Sequence, residues 1–219
     1  MTTRLYLVRH GATALTTEDR FSGAEGVDLS DDGRRQAQHL GERLRHEGIA
    51  AVYSSPYSRA MDTARIVSSG WPGAPAPVDG LREISHGHWE GLRRKDVEER
   101  FAAEYAMWEQ DPFTYAPSGG ESGLAVLARA LPAIRTIITD NAGSKVLVVS
   151  HKATIRLLLC SLFGIDARGY RDRLDQAPAC LNVIDFSDPV RARLMLFNDT
   201  SHYTTVPSTV GHRLSKWWG

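Results

Sequence analysis

The stretch LYLVRHG, residues 5–11, decides the fold class of this chain. Its first four residues form a short apolar run, which is typical of a strand buried in a parallel sheet. Residues that follow such a strand lie at its carboxyl end, where open α/β sheets bind their ligands. Arg9 supplies a charged fork suited to phosphate, His10 a nucleophilic nitrogen, and Gly11 a residue that allows a tight turn. The stretch predicts a buried strand that ends in an anion-binding turn.

Two further strand candidates end in polar residues. IAAVY at 49–53 is followed by two serines and then by Arg59, and KVLVVS at 145–150 is followed by His151. Strands and helices alternate along the chain, which favours a layered α/β fold with a mostly parallel sheet. Because parallel strands end at one edge of a sheet, we expect Arg9, His10, Arg59 and His151 to converge there.

Residues that cap helices or form turns predict where the other elements begin and end. Ser30 is the expected N-cap of a helix ending near Gly48, and Ser55 the N-cap of a helix with Pro56 as its first residue. The remaining expectations are a helix end near Ser69, a loop over 70–80, helices near 92–110, 121–140 (kinked or broken at Pro132) and 153–163, and a hairpin of 181–187 with 193–197 around Asp188-Pro189.

Composition bounds the class of protein. The 219 residues are 42% hydrophobic, and 26 Lys and Arg balance 26 Asp and Glu, so we expect no nucleic-acid and no membrane partner. With only Cys160 and Cys180 and no CxxC pair, we expect no disulfide framework, no cysteine-based zinc site and a cytoplasmic location. No apolar run near the amino terminus resembles a signal peptide. One domain over 1–219, with a small cap region at 85–120, is the expected organisation.

Two guanidiniums and two imidazoles at one sheet edge make a strong anion site, for which a phosphate monoester is the natural ligand. A histidine in such a site can attack phosphorus and form a phosphohistidine. The leaving alkoxide then needs a proton. Glu83, flanked by apolar residues after the Pro- and Gly-rich loop, is the best candidate for an acid that later acts as a base toward water.

Several motifs together resemble the histidine phosphatase family, the phosphoglycerate-mutase-like superfamily. They are LYLVRHG at 5–11, Asp28-Leu29-Ser30 with Gly33 and Gln36-Ala37, SSPxxRA at 54–60 with Thr63-Ala64, Leu81-Arg82-Glu83, GGES at 119–122 and VVSH at 148–151. The resemblance implies a three-layer α/β/α sandwich, a phosphohistidine intermediate and no cofactor or metal. By position, His10 resembles the nucleophile, Glu83 the proton donor, and Arg9, Arg59 and His151 the phosphate pocket.

The chain departs from the family pattern near this pocket. Ala12 replaces a carboxylate, and Thr16 stands where an Asn often contacts phosphate, so Thr16 is a candidate phosphate ligand with a shorter reach. Lys152 follows the second histidine, where Gly or Ala is usual, and adds a cation at the pocket rim. Thr16 and Lys152 are therefore included among the expected substrate-binding residues.

Hydrolysis is the preferred reaction, because no mutase-like insertion follows the Glu83 motif. The expected substrate is a small phosphorylated metabolite, such as a sugar phosphate or a phosphorylated sugar acid. A bisphosphoglycerate-dependent mutase is the alternative, and a non-catalytic phosphoester-binding protein is a further one. The tail residues Trp217 and Trp218 pack either on the body or on a neighbouring subunit, which leaves a homodimer open.

Overall fold

A six-stranded mixed sheet forms the centre of the computed structural model, which describes residues 1–14, 20–23 and 26–204. The strands lie in the order β3-β2-β4-β1-β5-β6. The first four of these are parallel to one another, and β5 is antiparallel to both β1 and β6. Their bounds are β1 Thr3–Arg9, β2 Ala51–Ser54, β3 Ala76–Pro77, β4 Lys145–Ser150, β5 Leu181–Phe186 and β6 Ala192–Asp199.

Seven α-helices occur in the described part of the chain: α1 Asp31–Leu44, α2 Ser58–Val67, α3 Arg94–Arg100, α4 Ala102–Gln110, α5 Gly123–Asp140, α6 Lys152–Phe163 and α7 Tyr170–Arg173. Helices α1 and α2 pack on one face of the sheet, and α5 and α6 pack on the other. The expected three-layer α/β/α sandwich is therefore confirmed, with four adjacent parallel strands and two antiparallel pairings, both made by β5. None of the helices in the described ranges is long and apolar enough to cross a membrane.

The core follows from the alternation of side chains along the strands. Leu5 and Leu7 of β1 face α5 and α6, whereas Tyr6 and Val8 face α1 and α2. Strand β4 alternates in the same way, and its four residues 146–149 are fully buried. A continuous apolar run in the sequence therefore becomes a strand with both faces covered, as expected for a parallel sheet.

Several predicted boundaries are confirmed. Ser30 caps α1, its hydroxyl accepting a hydrogen bond from the Gly33 amide at 3.1 Å. β4 spans the predicted residues, and α6 ends before Gly164, which takes the left-handed conformation of a helix C-cap (φ +68°). Strands β5 and β6 form the expected hairpin, and Asp188 accepts hydrogen bonds from two amides of the connecting turn.

The prediction for the start of α2 is wrong. Ser55 still donates its amide to the β4 carbonyl of Val149 at 2.9 Å, so the chain remains in the sheet one residue longer. The helix begins at Ser58, with Tyr57 as its N-cap, and ends at Val67 rather than near Ser69. The Ser55 hydroxyl contacts His151 instead of capping the helix.

Other boundaries also differ. α1 ends at Leu44, its last buried residue, and Gly48 (φ +67°) instead turns the chain toward β2, which begins at Ala51. The region 92–110 is divided into α3 and α4 at Phe101. Helix α5 continues through Pro132 without a break. The expected loop at 70–80 contains the short edge strand β3. The surrounding prolines and glycines are typical of loops, so the sequence pattern did not predict this strand.

The region 85–120 carries its own cluster of aromatic side chains. Phe21, from the segment before α1, packs with Trp89, Tyr105 and Trp108 of this region. Trp89 and Trp108 are buried and lie edge to face at 5.6 Å between ring centroids. Both tryptophans thus serve packing, and they anchor the region to the segment that follows β1.

The turn after β1 packs main chain against main chain on the first turn of α1. A Cβ atom added to Gly33 would lie 2.1 Å from the Ala12 carbonyl oxygen, and one added to Gly11 would lie 2.5 Å from the Gly33 carbonyl oxygen. The Ser30 amide also donates to the Ala12 carbonyl at 2.9 Å. Glycine at position 33 thus allows the helix to approach the turn that carries His10.

We expect Gly33→Ala to lower the free energy of unfolding by about 1–3 kcal/mol, because the added methyl group forces two backbone segments apart. The measurement is the midpoint of denaturant unfolding. Gly26→Ala is the control, since no described atom lies within 4 Å of a Cβ at that position. Equal midpoints for the two variants would contradict the close packing of turn and helix.

Candidate active site

His10 lies at the carboxyl end of β1, where its amide donates to the Ser150 carbonyl of β4 at 3.0 Å. Its ring Nδ1 is 2.7 Å from the Gly11 carbonyl oxygen. A carbonyl oxygen can only accept, so Nδ1 carries the hydrogen and Nε2 keeps its lone pair. Burial, followed by the charges of Arg9 and Arg59, lowers the pKa of His10 well below its usual 6.5. The ring is therefore neutral at physiological pH, with a nucleophilic Nε2.

The segment before β5 holds the Arg9 side chain in place. Its Nη1 donates to the Gln176 carbonyl at 2.7 Å, and its Nε is buried without a hydrogen-bond partner among the described residues. The Gln176 side chain is in turn fixed by Asn182 through two reciprocal amide hydrogen bonds, at 2.7 and 3.1 Å. Both amides are fully buried. This rigid pair fixes the carbonyl that orients the guanidinium.

Arg59 reaches the same edge from the first turn of α2. Its Nη2 donates to the Gly23 carbonyl at 2.6 Å. The Gly23 amide donates to one carboxylate oxygen of Glu90 at 2.7 Å, and the His86 amide donates to the other at 2.7 Å. Glu90 therefore ties the segment that contacts Arg59 to the region 85–120.

His151 directly follows β4 and is the N-cap of α6. Its Nε2 lies 2.7 Å from the Ser55 hydroxyl, and its ring centroid lies 5.1 Å from that of His10. Burial, followed by the charge of Arg59, lowers the pKa of His151 well below 6.5. Ser55, at the end of β2, therefore sets the orientation of an imidazole at the end of β4.

Glu83 is buried against the start of α6. Its carboxylate oxygens accept hydrogen bonds from three amides, those of Ile84, Ala153 and Thr154, at 3.0–3.3 Å. The carboxylate interacts electrostatically with both Arg9 and Arg59. It thus lies beside the positive cluster, fixed by donors from α6.

The structure brings the four residues expected at the sheet edge, Arg9, His10, Arg59 and His151, together with the proton-donor candidate Glu83, and all five are buried. Burial lowers the pKa of both guanidiniums, but an arginine keeps its charge at any physiological pH. The cluster therefore combines two fixed cations, two neutral imidazoles and one carboxyl group. Such a set can bind a phosphoryl group, attack it and exchange a proton with its leaving group.

Of the two further substrate-binding candidates, Lys152 and Thr16, only Lys152 lies within the described residues. Lys152 is the first residue of α6, and its Nζ forms an ion pair with Asp175 at 3.1 Å. Thr16 lies outside the described residues, as do Trp217 and Trp218. No group of three or more His, Cys, Asp or Glu side chains within the described ranges could hold a metal ion.

Sequence reasoning missed the residues that orient the five. Ser55 was interpreted as a helix cap, although its place at a strand end beside the expected His151 was a usable signal. Gln176 and Asn182 left no signal, because each is a single polar residue about 170 positions from Arg9. Glu90 also went unnoticed, since its contact with Gly23 depends on the fold of two separate segments.

Comparison with known proteins shows which family this chain resembles. The sequence profile of the histidine phosphatase superfamily (branch 1) matches residues 5–200. The bifunctional protein Rv2228c of Mycobacterium tuberculosis is 37% identical over 91% of this chain, which spans only 55% of that relative's length. Phosphoserine phosphatase 1 of Hydrogenobacter thermophilus is 31% identical over 74% of this chain and 77% of its own.

A solved structure also resembles this chain in fold. YhfR of Bacillus stearothermophilus superimposes with a TM-score of 0.85 at 31% identity, covering 91% of this chain and 98% of its own. The match of the profile covers all of the sheet except the first two residues of β1, and every residue of the cluster described above. This chain belongs to the histidine phosphatase superfamily, branch 1.

Proposed function

We propose that this protein is a phosphatase that hydrolyses a small phosphate monoester through a phosphohistidine on His10, without a metal. The observation that carries the proposal is the hydrogen bond from His10 Nδ1 to the Gly11 carbonyl, which directs the lone pair of a neutral ring to Nε2. Two buried guanidiniums and a buried carboxyl group beside that ring provide the other parts of phosphoryl transfer.

In the first step, the lone pair of His10 Nε2 attacks phosphorus and forms a P–N bond while the bond to the ester oxygen breaks. Arg9 and Arg59 offset the charge on the equatorial oxygens. Glu83, in its protonated form, gives its proton to the leaving oxygen, so the alcohol departs neutral. His10 keeps its Nδ1 hydrogen, which the Gly11 carbonyl stabilises as the ring becomes positive.

In the second step, water attacks the phosphorus of the phosphohistidine. The Glu83 carboxylate accepts a proton from this water, the P–N bond breaks and its electron pair returns to Nε2. Inorganic phosphate leaves, and both His10 and Glu83 are restored. The same carboxyl group thus serves as acid and then as base, and no external proton carrier is required.

The relatives support hydrolysis of a phosphate monoester as the reaction class, but they do not identify a single substrate. Phosphoserine phosphatase 1, described above, carries the name of a small-monoester phosphatase. We propose a small phosphorylated metabolite as the substrate of this chain. The region 85–120 is the expected source of selectivity, because Glu90 connects it to the segment that contacts Arg59.

The reaction is tested with a panel of phosphate monoesters in excess chelator, with 3-phosphoglycerate plus bisphosphoglycerate as the mutase test. We expect release of inorganic phosphate that chelator does not reduce. His10→Ala should lower kcat by roughly 10⁴-fold or more, because no other residue replaces the nucleophile. Isomerisation without phosphate release would replace hydrolysis by the mutase reaction, and full activity of His10→Ala would exclude the proposed intermediate.

Glu83→Gln tests the proton donor. With an alkyl phosphate, whose leaving alkoxide needs a proton, we expect phosphoenzyme formation to slow by about 10²–10⁴-fold. With an activated aryl phosphate the same step should slow far less, since a phenolate of low pKa leaves without protonation. Pre-steady-state release of the leaving group measures this step directly. Equal slowing with both substrates would show that Glu83 does not act as the acid.

A further inference from the structure

A second group of cations lies on α6, the helix that begins directly after His151. Lys152 and Arg156 are one turn apart on this helix, so both side chains lie on the same face. The Lys152 Nζ and the Arg156 Nη2 contact the same oxygen of Asp175, Oδ1, at 3.1 and 3.0 Å. One carboxylate oxygen thus bridges two cations.

The charges of this group are not balanced. Arg9 interacts electrostatically with Lys152 and Arg156, and the carboxyl groups that interact with these cations are Asp175 and Glu83, so three cations face two carboxyl groups. The Arg156 side chain is only 13% exposed, and its Nε is buried without a partner among the described residues. Burial, followed by the charges of Arg156 and Arg9, lowers the pKa of Lys152 to about 8, against the opposing effect of Asp175. The anionic group of a ligand would therefore be stabilised here.

Asp175 shows which anion fits. Its carboxylate oxygen already occupies the point between the two cations at hydrogen-bonding distance. The side chain is 67% exposed and belongs to the loop before β5, so water can solvate it when it leaves the two cations. A carboxylate of a ligand can then occupy the same point with the same two donors.

We propose that Lys152 and Arg156 form a subsite for a carboxylate of the substrate, which displaces Asp175. The substrate class is then the phosphate monoester of a hydroxy acid. This proposal rests on the proposed phosphatase function and adds its specificity. The two groups of cations divide the substrate: Arg9 and Arg59 take the phosphoryl group, and Lys152 and Arg156 take the carboxylate. Lys152 directly follows His151, so the subsite adjoins the phosphate cluster along the chain.

The test compares 3-phosphoglycerate with its methyl ester, which differ in the carboxylate charge. The readout is the ratio of kcat/KM for the acid to that for the ester. We expect wild-type protein to prefer the acid and Lys152→Met to lower this ratio by about 10-fold, the effect of losing one charge-assisted hydrogen bond. A ratio unchanged by Lys152→Met would overturn the subsite.

Lys145→Met is the matched control. Lys145 is 40% exposed and pairs with Glu47 at 3.0 Å, whereas Lys152 is 39% exposed and pairs with Asp175 at 3.1 Å. Lys145 begins β4, at the end opposite to His151, so the same change of charge occurs far from the pocket. An equal fall of the ratio in both lysine variants would also overturn the proposal, because it would report only the loss of net charge.

Asp175→Asn separates a subsite from a purely structural ion pair. If Asp175 competes with the substrate carboxylate, its neutralisation should raise the acid-to-ester ratio severalfold. A structural ion pair predicts no rise, and that result would count against the proposal. Hydrolysis of both compounds at equal kcat/KM by wild-type protein would overturn the subsite and leave the phosphatase function intact. If the wild-type protein hydrolyses neither 3-phosphoglycerate, nor its methyl ester, nor an aryl phosphate, both the subsite and the phosphatase function are overturned.

Discussion

The parallel pairing of β1 with β4 is the constraint on which the site depends. Val8 lies opposite Val149 and Arg9 opposite Ser150, so the next residue of each strand, His10 and His151, emerges at the same edge. Strand β2 pairs with β4 on its other side and brings Ser55 to the same level. A slip of one residue in either ladder would turn these side chains to the opposite face. The apolar alternation that fixes the register therefore also fixes the distance between the imidazoles.

The electrostatics of the site come from local placement, since the chain as a whole has no net charge. Arg9 is oriented by a main-chain carbonyl, which directs a guanidinium without neutralising it. Glu83 is held by amides at the start of α6, so the carboxylate has donors other than the arginines. These contacts keep positive charge available to a phosphate dianion. The histidines stay neutral in the same field, as a nucleophile requires.

The sequence was sufficient to predict what depends on local patterns. Apolar runs revealed β1 and β4, capping residues revealed the start of α1, and strand order implied the meeting of Arg9, His10, Arg59 and His151. What could not be predicted depends on contacts between distant segments. The hydroxyl of Ser55 has its partner 96 residues away, so local capping rules alone predict the wrong role for it. The pairing of Gln176 with Asn182, and of Glu90 with Gly23, exists only once the sheet and the region 85–120 are in place.

The most direct measurement is rapid-quench trapping of the phosphoenzyme with a ³²P-labelled monoester, stopped in alkali, where P–N bonds of phosphohistidine survive. Peptide mapping should then locate the label on Nε2 of His10. With a labelled aryl phosphate, the label should accumulate further in Glu83→Gln, because loss of the base slows attack by water more than it slows phosphoryl transfer. Phosphate released during the first turnover without any labelled protein, or a label on another residue, would contradict covalent catalysis by His10.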